Sequence, residues 1–217
     1  MAIRKPKDTL TLALVQALNG AWLAIRKNHP EVPEAAIILG SGSDGRATLK
    51  FGHWARSRWE RKGDDVVSEL FVGGEGLKRG AVSTMGTLLH EAGHALAQVR
   101  GIDDTSRGGR YHNQKFKALA NELGVDIEKD PRIGYSITTV PKGTEQKYKT
   151  EIAALKKAIT ATRRHEMVRA AGSRTNNNNG LSTECECDPP RKIRVSDSVY
   201  DQGPISCGLC GADFEQR

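Results

Sequence analysis

The 217-residue sequence predicts an α+β fold in two parts, a larger one of helices and short strands and a small C-terminal one built around cysteines. Three observations carry that expectation. Segments whose apolar residues recur three and four apart, the helical period, stand beside short extended segments bounded by glycines. A polar run over residues 172–183, holding Asn176-Asn177-Asn178-Asn179-Gly180, reads as a flexible linker. All four cysteines lie beyond it. The predicted organisation is therefore a domain at 1–171, a linker at 172–183 and a cysteine module at 184–217. A chain of this length allows one medium and one small domain.

The elements follow in order. Arg4, Lys5 and Lys7 precede an apolar run from Leu10 to Val15, which mimics an export signal. Gln16 and Asn19 interrupt the run, and Leu18, Trp22 and Ile25 continue it at helical spacing. Residues 8–28 are thus expected to form an amphipathic helix capped by Asp8 or Thr9. Strands are expected at 35–39, near 47–54 and at 66–72, with a Gly/Ser loop at 40–45 and a turn at Gly63-Asp64-Asp65. Val82, Met85, Leu89, Ala92, Leu96 and Val99 form the stripe of a second helix, which Gly101 ends. Beyond an exposed loop at 103–110, residues 112–123 read as a third helix closed by Gly124. Its apolar face is Phe116, Leu119, Ala120 and Leu123. A short extended piece at 135–140 leads to a long helix opened by Thr144, with Tyr148, Ile152, Leu155 and Ile159 on one face. There are no internal repeats.

Within the second helix the chain reads His90-Glu91-Ala92-Gly93-His94, an H-E-x-x-H run. Four helical residues advance the side-chain direction by about 400°, so the two histidines point the same way one turn apart. Two imidazoles so placed can grip one zinc ion, and Glu91 stands beside the metal's open position as a general base. At about 100° per residue, both histidines lie roughly opposite the apolar stripe. Gly93 costs about 1 kcal/mol relative to Ala in a helix interior, which suggests that it makes room for a close neighbour.

Such a site needs a third protein ligand. His112, one turn before Phe116, projects with the buried face of the third helix, whereas Glu122 points about 90–100° away. Helical phase favours His112 over Glu122. The longer motif, with Gly and His three and six positions after the second histidine, is excluded by Ala97 and Arg100. Tyr111 and Tyr135 are candidate donors to the developing oxyanion.

The cysteines read Cys185-Glu186-Cys187, then nineteen residues, then Cys207-Gly208-Leu209-Cys210-Gly211. Two close pairs at that separation fit a tetrahedral four-cysteine zinc site, with two disulfides as the alternative. Lys192-Ile193-Arg194-Val195 alternates like a short strand. So few large apolar residues cannot build a core unaided, so the module needs a metal or cross-links.

The run Thr87-Leu88-Leu89-His90-Glu91-Ala92-Gly93-His94-Ala95-Leu96, then a polar Gly/Arg-rich loop, then Tyr111-His112-Asn113-Gln114-Lys115-Phe116, resembles the SprT-like metallopeptidase family, which includes Spartan-type proteases acting on DNA-crosslinked proteins. The resemblance covers residues 51–124. It implies a zincin-like domain with the H-E-x-x-H helix on a small sheet, His112 as third zinc ligand, and a cleft strand at Ser68-Glu69-Leu70-Phe71-Val72. It departs from the family at Asn113-Gln114, where Gly-Pro is usual. The activity implied is zinc-dependent hydrolysis of peptide bonds in proteins, including DNA-associated ones. Two alternatives are a nucleic-acid-binding zinc-ribbon protein with an inactive peptidase-like domain, and a protease of one protein target without DNA dependence.

The formal charge of +7 and pI near 9.3 suggest an anionic partner. Basic clusters occur at Arg56, Arg58, Arg61 and Lys62, at Lys156, Lys157, Arg163 and Arg164, and at Arg191, Lys192 and Arg194. The last lies between the cysteine pairs, so the ribbon on its tether is the expected carrier of single-stranded DNA. No run has the 18 or so apolar residues of a membrane span. Cytoplasmic residence, where thiols stay reduced and bind metal, is expected.

Overall fold

The computed structural model describes residues 9–43, 49–63, 65–165 and 180–216, which divide into two compact units, Met1–Met167 and Val168–Arg217. Both mix helices with small sheets, an α+β architecture.

The first unit opens with α1 (Leu10–Asn28), whose Thr9 hydroxyl accepts the Leu12 amide as N-cap; Asp8, the other expected cap, lies outside the described residues. The helix buries Leu14, Leu18, Ala21, Trp22 and Ile25. Trp22 stacks on Trp54 with ring centroids 5.7 Å apart, which joins the helix to the first sheet.

That sheet contains β1 (Ala35–Gly40), β2 (Gly52–Glu60) and β3 (Val66–Gly73) in the order β1-β3-β2. β1 runs parallel to β3, and β2 pairs with it antiparallel from Gly52↔Val72 to Glu60↔Val66. β2 starts later and runs further than the sequence suggests, because Arg56 to Glu60 face solvent and carry no apolar alternation. A bulge between Ala55 and Trp59 interrupts its register, with Ser57 at φ 48°. The strand expected beside a cleft, Ser68 to Val72, lies in β3 instead. Both of its edges are paired, so it cannot receive another strand, and β2 takes the edge position.

A short 3₁₀ turn over Gly74–Arg79, without a counterpart in the sequence reading, leads into α2 (Ala81–Val99). This helix is buried around most of its circumference rather than on one stripe: Thr84 to Leu89, Glu91 to Gly93 and Ala95 to Ala97 are all covered. Small residues permit that. A Cβ on Gly93 would stand 3.1 Å from Phe116 Cε2, so the glycine does admit a close neighbour. Gly101, at φ +62°, follows the last turn.

β4 (Thr105–Ser106) and β5 (Tyr111–His112) precede α3 (Gln114–Glu122). The helix does not begin at His112, because the Asn113 side chain accepts the amides of Lys115 and Phe116 and caps it there. β6 (Asp126–Asp130) and β7 (Gly134–Thr139) complete a second sheet in the order β4-β5-β7-β6. The expected long final helix is two, α4 (Lys142–Lys147) and α5 (Lys149–Ala158), broken at the fully buried Tyr148. One core, centred on α2, joins α1, α3, α5 and the inner face of the first sheet.

The second unit contains β8 (Leu181–Glu184), β9 (Lys192–Val195), the single turn α6 (Asp197–Tyr200) and β10 (Glu215–Gln216), antiparallel in the order β10-β8-β9. β8 takes the end of the expected linker, residues 181–183, into the sheet; residues 172–179 lie outside the described residues. The core consists of Cys185, Cys207 and Phe214, with Cys187, Ile193 and Ile205 partly buried against it. Among the described residues no helix is long and apolar enough to cross a membrane.

Candidate metal centres

His90 and His94 arrive from one turn of α2, and His112 from β5. The parallel pairing of His112 with Gly134 on β7 holds that strand beside the helix. One ring nitrogen from each of the three lies within 4.8 Å of the others. Phe116 forms the floor of the cluster, its ring centroid 4.6, 4.4 and 4.7 Å from those of His90, His94 and His112. His112 thus joins the site from a strand, not from the helical face used to expect it. Glu122 is elsewhere: both its carboxylate oxygens accept from Arg100, at 2.7 Å, and Arg100 also holds Glu31.

The outward nitrogens decide the chemistry of the inward ones. His94 Nδ1 meets the Asp104 carboxylate at 2.5 Å, and His112 Nδ1 meets the Ile133 carbonyl at 3.0 Å. Neither oxygen can donate, so both Nδ1 atoms carry the proton. His90 Nδ1 lies 2.9 Å from Thr138 Oγ1, whose own proton goes to the Ser136 carbonyl, so this Nδ1 donates too. Each ring therefore turns an Nε2 lone pair inward. The Nε2 atoms of His94 and His112 face one another at 3.1 Å, where two lone pairs repel unless a cation lies between them. The donor set fits a divalent metal, and the oriented second nitrogens are the support that histidine ligands need. Burial holds the pKa of His90 well below the usual histidine range, and that of His112 below it as well; both favour the neutral, ligating form.

Glu91 projects beside this cluster and is only 5% exposed. Burial pushes its carboxyl up to about 7, against the opposing pull of His94 and the donating Trp54 amide. A divalent cation nearby would draw it down again. Gly52 makes room for it: a Cβ there would stand 2.5 Å from Glu91 Oε1 and 2.7 Å from Thr87 Cγ2.

The site opens into a cleft of about 900 Å³. One wall is β2 with the residues just before it, from Leu49 to Trp54 and Arg56; the other is the end of the second sheet, from Ser136 to Thr138 with Ile133. Neither tyrosine weighed as an oxyanion donor lines it. Tyr111 lies under the Arg107 guanidinium, and the Tyr135 hydroxyl accepts from Gln114. The sequence reading also missed Asp104, Thr138 and Ile133, which orient the histidines. They lie 10 to 48 residues from their partners, and no local pattern marks them.

In the second unit the Sγ atoms of Cys185, Cys187, Cys207 and Cys210 all lie within 4.8 Å of one another, and all four are free thiols. Cys187 and Cys207 approach to 3.9 Å, well beyond a disulfide bond. The amides of Cys210 and Leu209 donate to Cys207 and lower its pKa, while neighbouring sulfurs, Cys185 first, raise that of Cys187. Four sulfurs so close cannot all ionise without a cation among them. Both clusters can therefore hold a metal ion.

The chain matches no protein-family model, no curated protein and no solved structure.

Proposed function

We propose that the protein is a zinc-dependent metallopeptidase of the SprT-like kind, with a zincin-like catalytic domain and a C-terminal zinc ribbon. The observation that carries this reading is the convergence of three Nε2 lone pairs beside a buried carboxylate in an open cleft. Three imidazoles leave a coordination position open, the arrangement of catalytic rather than structural zinc. A structural site would have no use for Glu91.

His90, His94 and His112 would hold the zinc, which when bound would supply Lewis acidity to the scissile carbonyl and to water. The remaining work belongs to the chain. Glu91 takes the proton of the attacking water and hands it to the departing amine. The Trp54 amide and the space left by Gly52 fix its carboxylate. Asp104, Ile133 and Thr138 keep the imidazoles aimed. The free edge of β2 can take an extended substrate by backbone pairing along the cleft wall. Cys185, Cys187, Cys207 and Cys210 would hold the second zinc as a closed structural site.

Charge argues against the ribbon as the carrier of single-stranded DNA. Residues 180–217 carry Glu184, Glu186, Asp188, Asp197, Asp201, Asp213 and Glu215 against Arg191, Lys192, Arg194 and Arg217. Lys192 is paired with Glu184 at 2.6 Å, and Arg191 reaches Cys207 Sγ at 3.6 Å. The chain's positive surplus thus lies outside the ribbon, and a single-stranded DNA partner would have to be met by other residues.

Metal-loaded protein should hydrolyse an unfolded protein substrate, and Glu91→Gln should lower the rate by about 10²- to 10⁴-fold while retaining about two zinc ions per chain. Running both with and without single-stranded DNA separates the two targeting readings. Equal rates for wild type and Glu91→Gln would overturn the assignment.

A further inference from the structure

Arg79 differs from the first-unit arginines that carboxylates hold. Arg61 is paired with Glu34, and Arg100 is held by two carboxylates. Arg79, at the end of the 3₁₀ turn, meets no carboxylate among the described residues. Its guanidinium carbon lies 3.7 Å over the Phe51 ring centroid, and Nη2 donates to Thr87 Oγ1 at 2.8 Å. The Thr87 hydroxyl in turn donates to the Ser83 carbonyl at 3.1 Å, so the acceptor is fixed. An aromatic face below and an anchored hydroxyl at one corner orient the guanidinium plane and leave its other N–H groups to the cleft, which Arg79, Phe51, Ser83 and Thr87 all line.

This cation has a defined relation to the chemistry. Thr87 precedes Glu91 by one turn of α2, and Gly52 is wedged between the two. Phe51, the next residue back along the cleft wall, carries Arg79 on its ring. One helical turn advances about 5.4 Å, and a strand rises about 3.3 Å per residue. A substrate lying along β2 with its scissile bond at Glu91 therefore brings the side chain about two residues away to the guanidinium. Side chains two apart on a strand share a face. Lys50 and Arg56 also line the cleft. The carboxylates on the same walls are committed: Asp104 to His94, Asp130 to the amides of Arg132 and Ile133, and Glu91 to the reaction.

From this geometry, and resting on the peptidase reading, we propose that Arg79 is a specificity-determining residue that receives an acidic side chain of the substrate polypeptide about two positions from the scissile bond, on the Phe51 side of the metal site. A planar, pre-oriented guanidinium suits a carboxylate taken bidentately. Arg79 is exposed to the cleft, and the partial desolvation that lowers its pKa is offset when an anion arrives.

The test uses full-length zinc-loaded protein carrying Glu91→Gln, so that binding is read without turnover, and fluorescent extended peptides in which a single Glu, or Gln in its place, is moved along the sequence. One Glu position should bind about tenfold tighter than its Gln counterpart, the scale of one charge-assisted hydrogen bond. Arg79→Gln should abolish that preference with zinc content unchanged, and Arg79→Lys should restore part of it. Equal binding of Glu and Gln peptides at every position, absence of binding by any peptide, or a preference that survives Arg79→Gln would overturn the proposal. So would a loss confined to binding of a single-stranded oligonucleotide, which would assign Arg79 to phosphate. Wild-type hydrolysis is scored separately. Hydrolysis without Glu preference removes the role of Arg79 alone, whereas Glu preference without hydrolysis removes the peptidase reading and leaves the anion subsite standing.

Discussion

The three-histidine cluster and the four-cysteine cluster solve the same problem in opposite ways. The histidines are set by a scaffold that exists without them: a helix buried on nearly every side, a strand paired to Gly134, a phenylalanine floor, and three oxygens aimed at the outer ring nitrogens. The cysteines have no such scaffold. They are themselves much of the core of their unit, with Phe214, Ile193 and Ile205 as the main apolar support. On the proposed reading a metal would bind the first site as a guest, whereas the second unit would need its metal to be a folded object. The first site faces a cleft of about 900 Å³; the second surrounds its centre with sulfur.

The largest expected effect tests that difference. Structural zinc contributes apparent folding free energies of about 10–16 kcal/mol in small modules. Cys207→Ser, or a strong chelator, should unfold residues 180–216 and leave the first unit intact. Amide hydrogen exchange would show protection lost across β8 and β9 and kept in α2. Retained protection in β8 and β9 after metal removal would break the comparison.

A smaller effect is expected where the scaffold only orients a ligand. Asp104 is 5% exposed and holds His94 through Nδ1. Asp104→Asn should weaken metal at the histidine site by about 10- to 100-fold, without moving the thermal midpoint of the first unit far or displacing the cysteine-bound metal. Competition with a calibrated chelator reads the two sites separately. Loss of both metals together would mean that the sites are not independent.

The same contrast explains what the sequence could disclose. The H-E-x-x-H helix and the paired cysteines are written in short spacings, because a helical turn and a knuckle bring near neighbours together. Gly93 could be read as a close approach for the same reason, and Phe116 is the residue that makes it. His112 reaches the cluster although the helix assigned to it starts two residues later; the Asn113 cap displaces it into a strand. β6, reading Asp-Ile-Glu-Lys-Asp, buries only Ile127 fully and offers too little alternation to announce itself. The edge role of β2 and the contacts of Asp104, Thr138 and Arg79 depend on which segments pair across the chain, which no local periodicity encodes.

The smallest effect concerns acid, and it separates proton sensitivity from metal sensitivity within the first unit. Glu75 lies beneath the loop leading to β2, its side chain 3% exposed, accepting the Gly42 amide at 2.7 Å and the Ser43 hydroxyl at 2.8 Å, with Arg163 at 3.8 Å. Burial alone would raise its pKa, but those donors and the arginine hold it below the usual carboxylate value. A carboxyl whose pKa is depressed on folding stabilises the folded state above its unfolded value, and that contribution is lost as pH falls through the folded value. Glu75→Gln should therefore cost about 2 kcal/mol at neutral pH, the scale of hydrogen bonds to a charged group. The gap to wild type should narrow once the pH drops below about 4.5. Thermal unfolding of metal-free protein at a series of pH values, followed by a probe in α2, measures that gap. A gap that stays constant down to acid pH would mean that the carboxylate's charge contributes nothing, and that the loop before β2 is held by packing alone.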